Sequence, residues 1–231
     1  WLQFRVRGSP DLGTAAATHH LVLADERRRR TKEIEPNRIH RIHVTESVTK
    51  DARFNRTPAK AQAWVQAFGG SHAATPRAAA ARADLIFACV GNDDDLRSIT
   101  LGADGAFAGM APGAIFVDHT TASAEVAREL STAARQIGLQ FIDAPVSGGQ
   151  AGAQNGALTV MCGGDPKAFD AARPVAMAFS RAVTLLGTSG AGQLAKMVNQ
   201  ISIAGLVQGL SEAIAFGQNA GLDMNLVLDV I

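Results

Sequence analysis

Two hydrophobic periods divide this chain. Short unbroken apolar runs stand at Asp84–Val90, Ala114–Asp118, Leu139–Asp143, Ala157–Cys162 and Ala182–Leu186. Between them, apolar positions recur every three or four residues. Unbroken runs bounded by Gly, Asp and Pro mark strands buried on both faces, as in a parallel sheet. The longer period predicts helices over Pro58–Phe68, Ala73–Ala83, Ala124–Ile137 and Asp165–Phe179. Thr57 and Pro58 supply a cap and a first helical residue for the earliest of these. From about Gly190 to Gly221 one long helix is expected, apolar on most sides, with Thr188 and Ser189 as cap candidates. Gly221 suits the left-handed position after a helix end. Asp223 caps a further helix toward Ile231. The alternation predicts an α/β fold with a mainly parallel sheet, followed by the long helix.

Composition narrows the class. The chain has 231 residues, a formal net charge of +1, 47% hydrophobic residues and 19% charged ones. That is an ordinary soluble balance, and it gives no overall case for nucleic acid or membrane as partner. No apolar run approaches the roughly 18 residues of a membrane span. The first residues lack the apolar core of a signal peptide. Cys89 and Cys162 both fall in apolar runs and read as reduced core residues. A cytoplasmic protein is the expectation.

Residues 1–53 stand apart. They hold His19, His20, His40, His43 and the run Arg27–Arg30, with only short apolar pieces. A basic tail for nucleic acid is one reading, and a solvated arm is the preferred one. His40 and His43 have no further ligand cluster beside them, and Asp93–Asp95 read as the acids of a helix start, so no metal is expected. His119, at a strand end, reads as structural.

Two stretches carry candidate chemistry. FIDAPVSGGQAGAQNGALTVMCGG, residues 141–164, places a small-residue loop with Ser147, Gly148 and Gly149 between two apolar runs. Ser and backbone N–H groups hold anions, so the loop can form the wall of an anion pocket. Equally, its glycines can simply make a wide hairpin or crossover. In the long helix, Lys196 and Asn199 are three residues apart and share one face of an apolar surface. Desolvation lowers the pKa of such a Lys and lets it exchange protons near neutrality. A Lys that snorkels to solvent is the alternative.

DAPVSGG followed by GAGQLAKMVNQ resembles the β-hydroxyacid dehydrogenase family over about residues 54–231. The family includes 3-hydroxyisobutyrate dehydrogenase, tartronate semialdehyde reductase and 6-phosphogluconate dehydrogenase. The resemblance implies a Rossmann domain, a long interdomain helix and an all-helical C-terminal domain. It implies hydride transfer between NAD(P) and a β-hydroxyacid or its semialdehyde. Ser147, Gly148 and Gly149 would hold the substrate carboxylate, Lys196 would act as general acid/base, and Asn199 would orient the substrate. Val90, Gly91, Asp95 and Thr121 become cofactor contacts. At the end of the second Rossmann strand an acidic residue suits NAD, whereas Arg accommodates a 2′-phosphate. Asn55, Arg56 and Thr57 therefore imply NADP, with NAD possible.

The glycine fingerprint G-x-G-x-x-G is not in residues 1–53, where Gly8 and Gly13 are the only glycines. The expected division is a basic arm outside the family pattern over 1–53, an incomplete dinucleotide-binding domain over 54–189, and the interdomain helix with the start of the helical domain over 190–231. Unrelated sequence in place of the first strand and loop, and a shortened C-terminus, would leave the long helix without much of its cover, so a homo-oligomer is implied. Two other readings remain. One is an inactive remnant of such an enzyme. The other is a dimeric interaction protein with a basic N-terminal arm.

Overall fold

A computed structural model describes residues 5–6, 52–81 and 83–231. The histidines and the arginine run of the N-terminal arm lie outside the described residues. The chain begins with β1 (Arg5–Val6) and β2 (Ala52–Arg53). Next come α1 (Pro58–Phe68), β3 (Ser71–His72), α2 (Pro76–Ala80), β4 (Leu85–Ala88) and α3 (Asp93–Thr100). β5 (Ile115–Asp118), α4 (Ala124–Gln136) and β6 (Gln140–Asp143) follow. Then β7 (Val146–Ser147), α5 (Gly149–Gln154), β8 (Leu158–Gly164), α6 (Pro166–Ala176) and β9 (Ser180–Gly187) complete the α/β part. The long helix α7 (Ala191–Asn219) and the short α8 (Met224–Val230) end the chain.

Parallel pairing joins β4 to β5 and β5 to β6, and β8 to β9. β1 lies antiparallel on the free edge of β4. β2 and β3 form a separate parallel pair. The sheet is thus mixed, with its parallel centre at β4, β5 and β6. Residues alternate across that centre. Ile86, Phe116 and Phe141 face one layer, where Leu96, Val126, Leu130 and Ala134 of α3 and α4 cover them. Leu85, Phe87, Ile115, Val117 and Ile142 face the other, against Ala168, Ala172 and Ala176 of α6. Cover on both sides is why these strands read as unbroken apolar runs.

The stretch after Asp143 corrects the expected loop. Ile142 pairs with Gly164, Asp143 with Gly163, Val146 with Val160 and Ser147 with Thr159, all antiparallel and in one register. Met161 N–H donates to the Pro145 carbonyl at 3.0 Å within that register. β6 and β7 are therefore one extended segment, interrupted where Pro145 lacks a donor. At its end Gly148 (φ 128°) and Gly149 (φ 60°) turn the chain into α5, a conformation that residues with a Cβ rarely adopt.

Two helix starts also differ from expectation. The helix expected over Ala73–Ala83 is only Pro76–Ala80, because Ser71 and His72 pair with β2 and Thr75 caps the helix through its bond from Ala78 N–H. α7 is capped by Gly190 with φ 93°, not by Thr188 or Ser189. The Ser189 hydroxyl bonds Ser131 of α4 instead. Thr57 precedes α1 as expected, but its hydroxyl makes no cap bond, and its N–H donates to Asn55 Oδ1 at 2.8 Å. Asp223 caps α8 by accepting from Asn225 N–H.

α7 is apolar on nearly every side. It exposes Val198, Ile201, Leu206, Val207 and Phe216, a surface of the kind that marks association. Among the described residues no helix is long and apolar enough to cross a membrane.

Candidate active site

The carboxyl ends of parallel strands are where α/β sheets bind ligands. Here the ends of β2 and β4 border an open cleft with Phe54, Pro76, Ala88, Val90 and Ile99 as apolar walls. Asn55, Arg56, Asp95 and Ser98 add polar groups. Apolar walls with a few convergent polar groups suit a planar base and its ribose. Asn55, Arg56, Val90 and Asp95, four of the sequence-derived cofactor candidates, meet at this cleft. Thr57 and Gly91 are exposed beside it and do not line it, and Thr121 is exposed on the loop after β5. Cys89, read from sequence as a core residue, also lines the cleft, with its thiol against the His119 carbonyl at 3.7 Å. Cys162 does lie in the core, and burial pushes its thiol up to about 12. The three acids of α3 fill its first turn behind Asn92, whose side chain accepts from Asp95 N–H at 2.8 Å. Among the described residues no cluster of His, Cys, Asp and Glu forms a metal set.

The substrate-side candidates sit around β8. Ser147 pairs with Thr159 of β8, and Gly148 and Gly149 are exposed at the turn beyond. α7 packs against β8, β6, β9 and α4 and carries Lys196 and Asn199. Lys196 is 8% exposed, and desolvation lowers its pKa from the ordinary lysine value. The expected direction therefore holds. Asn199 is half-buried, with its Nδ2 donating to Gln200 Oε1 at 3.1 Å.

Three buried polar residues had no role assigned from sequence, and two of them hold α7 in place. Asp143 Oδ1 accepts from Gly190 N–H at 2.8 Å, and Oδ2 accepts from Gln193 N–H at 3.0 Å. A carboxylate thus occupies the positive end of the helix, where the first N–H groups lack helical partners. Gln193 is fully buried, one turn before Lys196. Its Nε2 donates to the Thr120 carbonyl at 2.7 Å, and its Oε1 accepts from Ala122 N–H at 3.0 Å. The segment carrying Thr121 is thereby tied to the helix carrying Lys196. Thr120 is itself buried, and its Oγ1 accepts from Val90 N–H at 2.9 Å, which links this segment to the cleft. A polar residue inside an apolar helical pattern was the only signal for Gln193.

Asp118 is the third. It is fully buried beside Asp143, its register partner across the sheet. Desolvation pushes its carboxyl up to about 7, although the Thr120 N–H bond to Oδ1 opposes this. Its Oδ2 has no hydrogen-bond partner among the described residues. Next to it, His119 is buried against Phe87 and Phe179, its Nδ1 is 2.6 Å from the Ala144 carbonyl, and desolvation pulls its pKa down to about 4. That supports a structural role.

These two shifts give opposite pH dependences. A raised carboxyl stabilises the fold most below about pH 4, and that contribution is lost as pH rises through about 7. A depressed His contributes above about pH 6.5, and that is lost as pH falls toward about 4. In the native chain they oppose each other across one window. Asp118→Asn removes the first and leaves the second. Its melting temperature should therefore fall more steeply than that of the wild type between pH 7 and pH 5. Parallel profiles in thermal denaturation followed by circular dichroism would contradict this.

A cleft at the carboxyl ends of strands, in a sheet covered by helices on both faces, is the arrangement of a ligand-binding α/β protein. The family model for the NAD-binding domain of 6-phosphogluconate dehydrogenase matches residues 17–187, and that for the NAD-binding domain of NADP-dependent 3-hydroxyisobutyrate dehydrogenase matches 190–231. The first match begins inside the N-terminal arm. An uncharacterised oxidoreductase of Shewanella frigidimarina is 59% identical over 178 residues, which is 77% of this chain and 61% of that protein. The NAD-dependent L-serine dehydrogenase of Pseudomonas aeruginosa is 38% identical over 165 residues, 71% of this chain and 55% of that one. The solved 3-hydroxyisobutyrate dehydrogenase of Mycobacterium tuberculosis, with L-serine, aligns at TM-score 0.70 and 31% identity, covering 76% of this chain and 59% of that chain. The chain belongs to the β-hydroxyacid dehydrogenase family and carries an NAD(P)-binding fold. It spans little more than half the length of these relatives.

Proposed function

We propose that the chain transfers a hydride between NADP, or less favourably NAD, and a small carboxylate with a β-hydroxyl or its semialdehyde. The observation that carries this is Lys196: a buried lysine on a helix tied through Gln193 to the segment after β5 and through Asp143 to the end of β6. Residues 54–189 form the cofactor part, and residues 190–231 add the catalytic helix. When bound, the nicotinamide supplies the redox chemistry. Ser147 and the N–H groups of Gly148 and Gly149 hold the substrate carboxylate. Lys196 takes the hydroxyl proton in oxidation and returns it in reduction, and Asn199 orients the substrate. Arg56 receives the 2′-phosphate. Val90 and Asp95 line the cofactor cleft, and Thr121 supplies a hydroxyl near the nicotinamide. L-serine, named for two relatives, has the required carboxylate and β-hydroxyl. The apolar settings of Cys89 and Cys162 suit the reducing cytoplasm.

A second reading has one observation in its favour. β1 lies antiparallel on β4, where a Rossmann sheet has its parallel first strand, and β2 and β3 stand apart from the main sheet. A cofactor loop set on that first strand would be displaced, leaving a protein with the catalytic helix but no turnover. Fluorescence titration with NADPH, alongside NADH, separates the two. The dehydrogenase reading expects saturable binding on the order of micromolar, tighter for NADPH. Absence of binding up to millimolar cofactor would establish the inactive form.

A further inference from the structure

We propose that Asp95 sets the cofactor preference by competing with a 2′-phosphate for Arg56. This rests on the cofactor reading of the cleft. The acidic residue that favours NAD and the Arg that favours NADP are normally alternatives at the ribose. Here the Arg stands after β2 and an acidic residue reaches it from another element of the same cleft: Arg56 Nη1 lies 3.0 Å from Asp95 Oδ1. The pair crosses from the turn after β2 to the first turn of α3. Its members differ in freedom. The Asp95 side chain is 23% exposed and starts from a capped helix turn, where its charge complements the helix dipole. The Arg56 side chain is 74% exposed, so it is the member open to an incoming phosphate.

The two cofactors meet this pair differently. A ribose 2′-hydroxyl is a donor that the Asp95 carboxylate can accept without disturbing Arg56. A 2′-phosphate carries about −1.5 to −2 charge near neutral pH, so it draws Arg56 and is repelled by Asp95. Binding NADP thus breaks or stretches an existing ion pair, whereas binding NAD does not. An exposed pair is weak, so the penalty is a small factor and the chain takes both cofactors within about tenfold of each other.

Calorimetric titration of the full chain with 2′,5′-ADP and with 5′-ADP tests this without any turnover. Asp95→Asn keeps the shape and removes the charge. It should tighten 2′,5′-ADP by about three- to fivefold relative to 5′-ADP, an advantage that shrinks as salt rises. Arg56→Gln should remove the advantage of 2′,5′-ADP in the Asp95→Asn background, and with Asp95 intact it should leave 5′-ADP the tighter ligand. An unchanged ratio of the two ligands in Asp95→Asn overturns the proposal and leaves the cofactor reading standing. If neither ligand binds the wild type or Asp95→Asn at millimolar concentration, both fall.

Discussion

On the proposed function, Lys196→Ala should lower turnover by about 100- to 10,000-fold, the usual share of a general acid/base, with a much smaller change in cofactor affinity. The geometry explains the split. Lys196 is buried on α7 and is not among the residues that line the cleft. Lys196→Arg should be nearly as inactive, because a guanidinium keeps the charge but does not release its proton at working pH. Folding should not suffer. Desolvation already disfavours the charged amine, so its removal relieves a cost. Steady-state kinetics, cofactor titration and thermal melts on the same preparations check the three statements. A variant that keeps most of its turnover would take Lys196 out of the mechanism. One that loses turnover only by unfolding would make it a packing residue.

Gly192→Ala should destabilise the fold strongly. A Cβ there would run into the Met161 carbonyl and sit 2.7 Å from the Asp143 carbonyl oxygen. Both are backbone atoms in paired strands, so neither can move aside without breaking the register. Overpacking of this kind costs about 3 kcal/mol or more. For a chain of this size that lowers the melting temperature by roughly 6 to 12 °C. It would also push the start of α7 off Asp143 and carry Lys196 with it. The same substitution at Gly205 makes a control within the same helix. A Cβ there meets nothing within 4 Å, and alanine is the better helix former by about 1 kcal/mol. Gly205→Ala should hold or raise the melting temperature. Equal effects at the two positions would mean that the close approach of α7 to β6 and β8 is not a constraint.

Asp143 shows why the site was only partly legible. It belongs to the DAPVSGG stretch that carries the family resemblance, yet its spacing in the chain says nothing of what it binds. Its partners, Gly190 and Gln193, are 47 and 50 residues away. The Gln193 amide reaches over 71 and 73 residues. The same is true of Arg56 and Asp95, 39 residues apart. Each was assigned from sequence as a cofactor contact, and their bond to each other was invisible. Lys196 was found because its oddity is local, a charge among apolar helical positions.

By itself the sequence determined the central strands, most of the longer helices, and that the central strands are covered on both faces. It also determined several helix starts. Asp165 and Asp223 cap through their own next residues, and Pro58 fixes its own φ. These are short-range effects, complete within one turn or one hydrophobic period. Only the tertiary structure decided that Ser147 continues a strand, that Gly190 and not Ser189 caps α7, and that burial raises the Asp118 carboxyl. Each of those depends on a partner or a loss of water supplied by segments far along the chain. Spacing along a helix says which side chains share a face, and only packing says what that face meets.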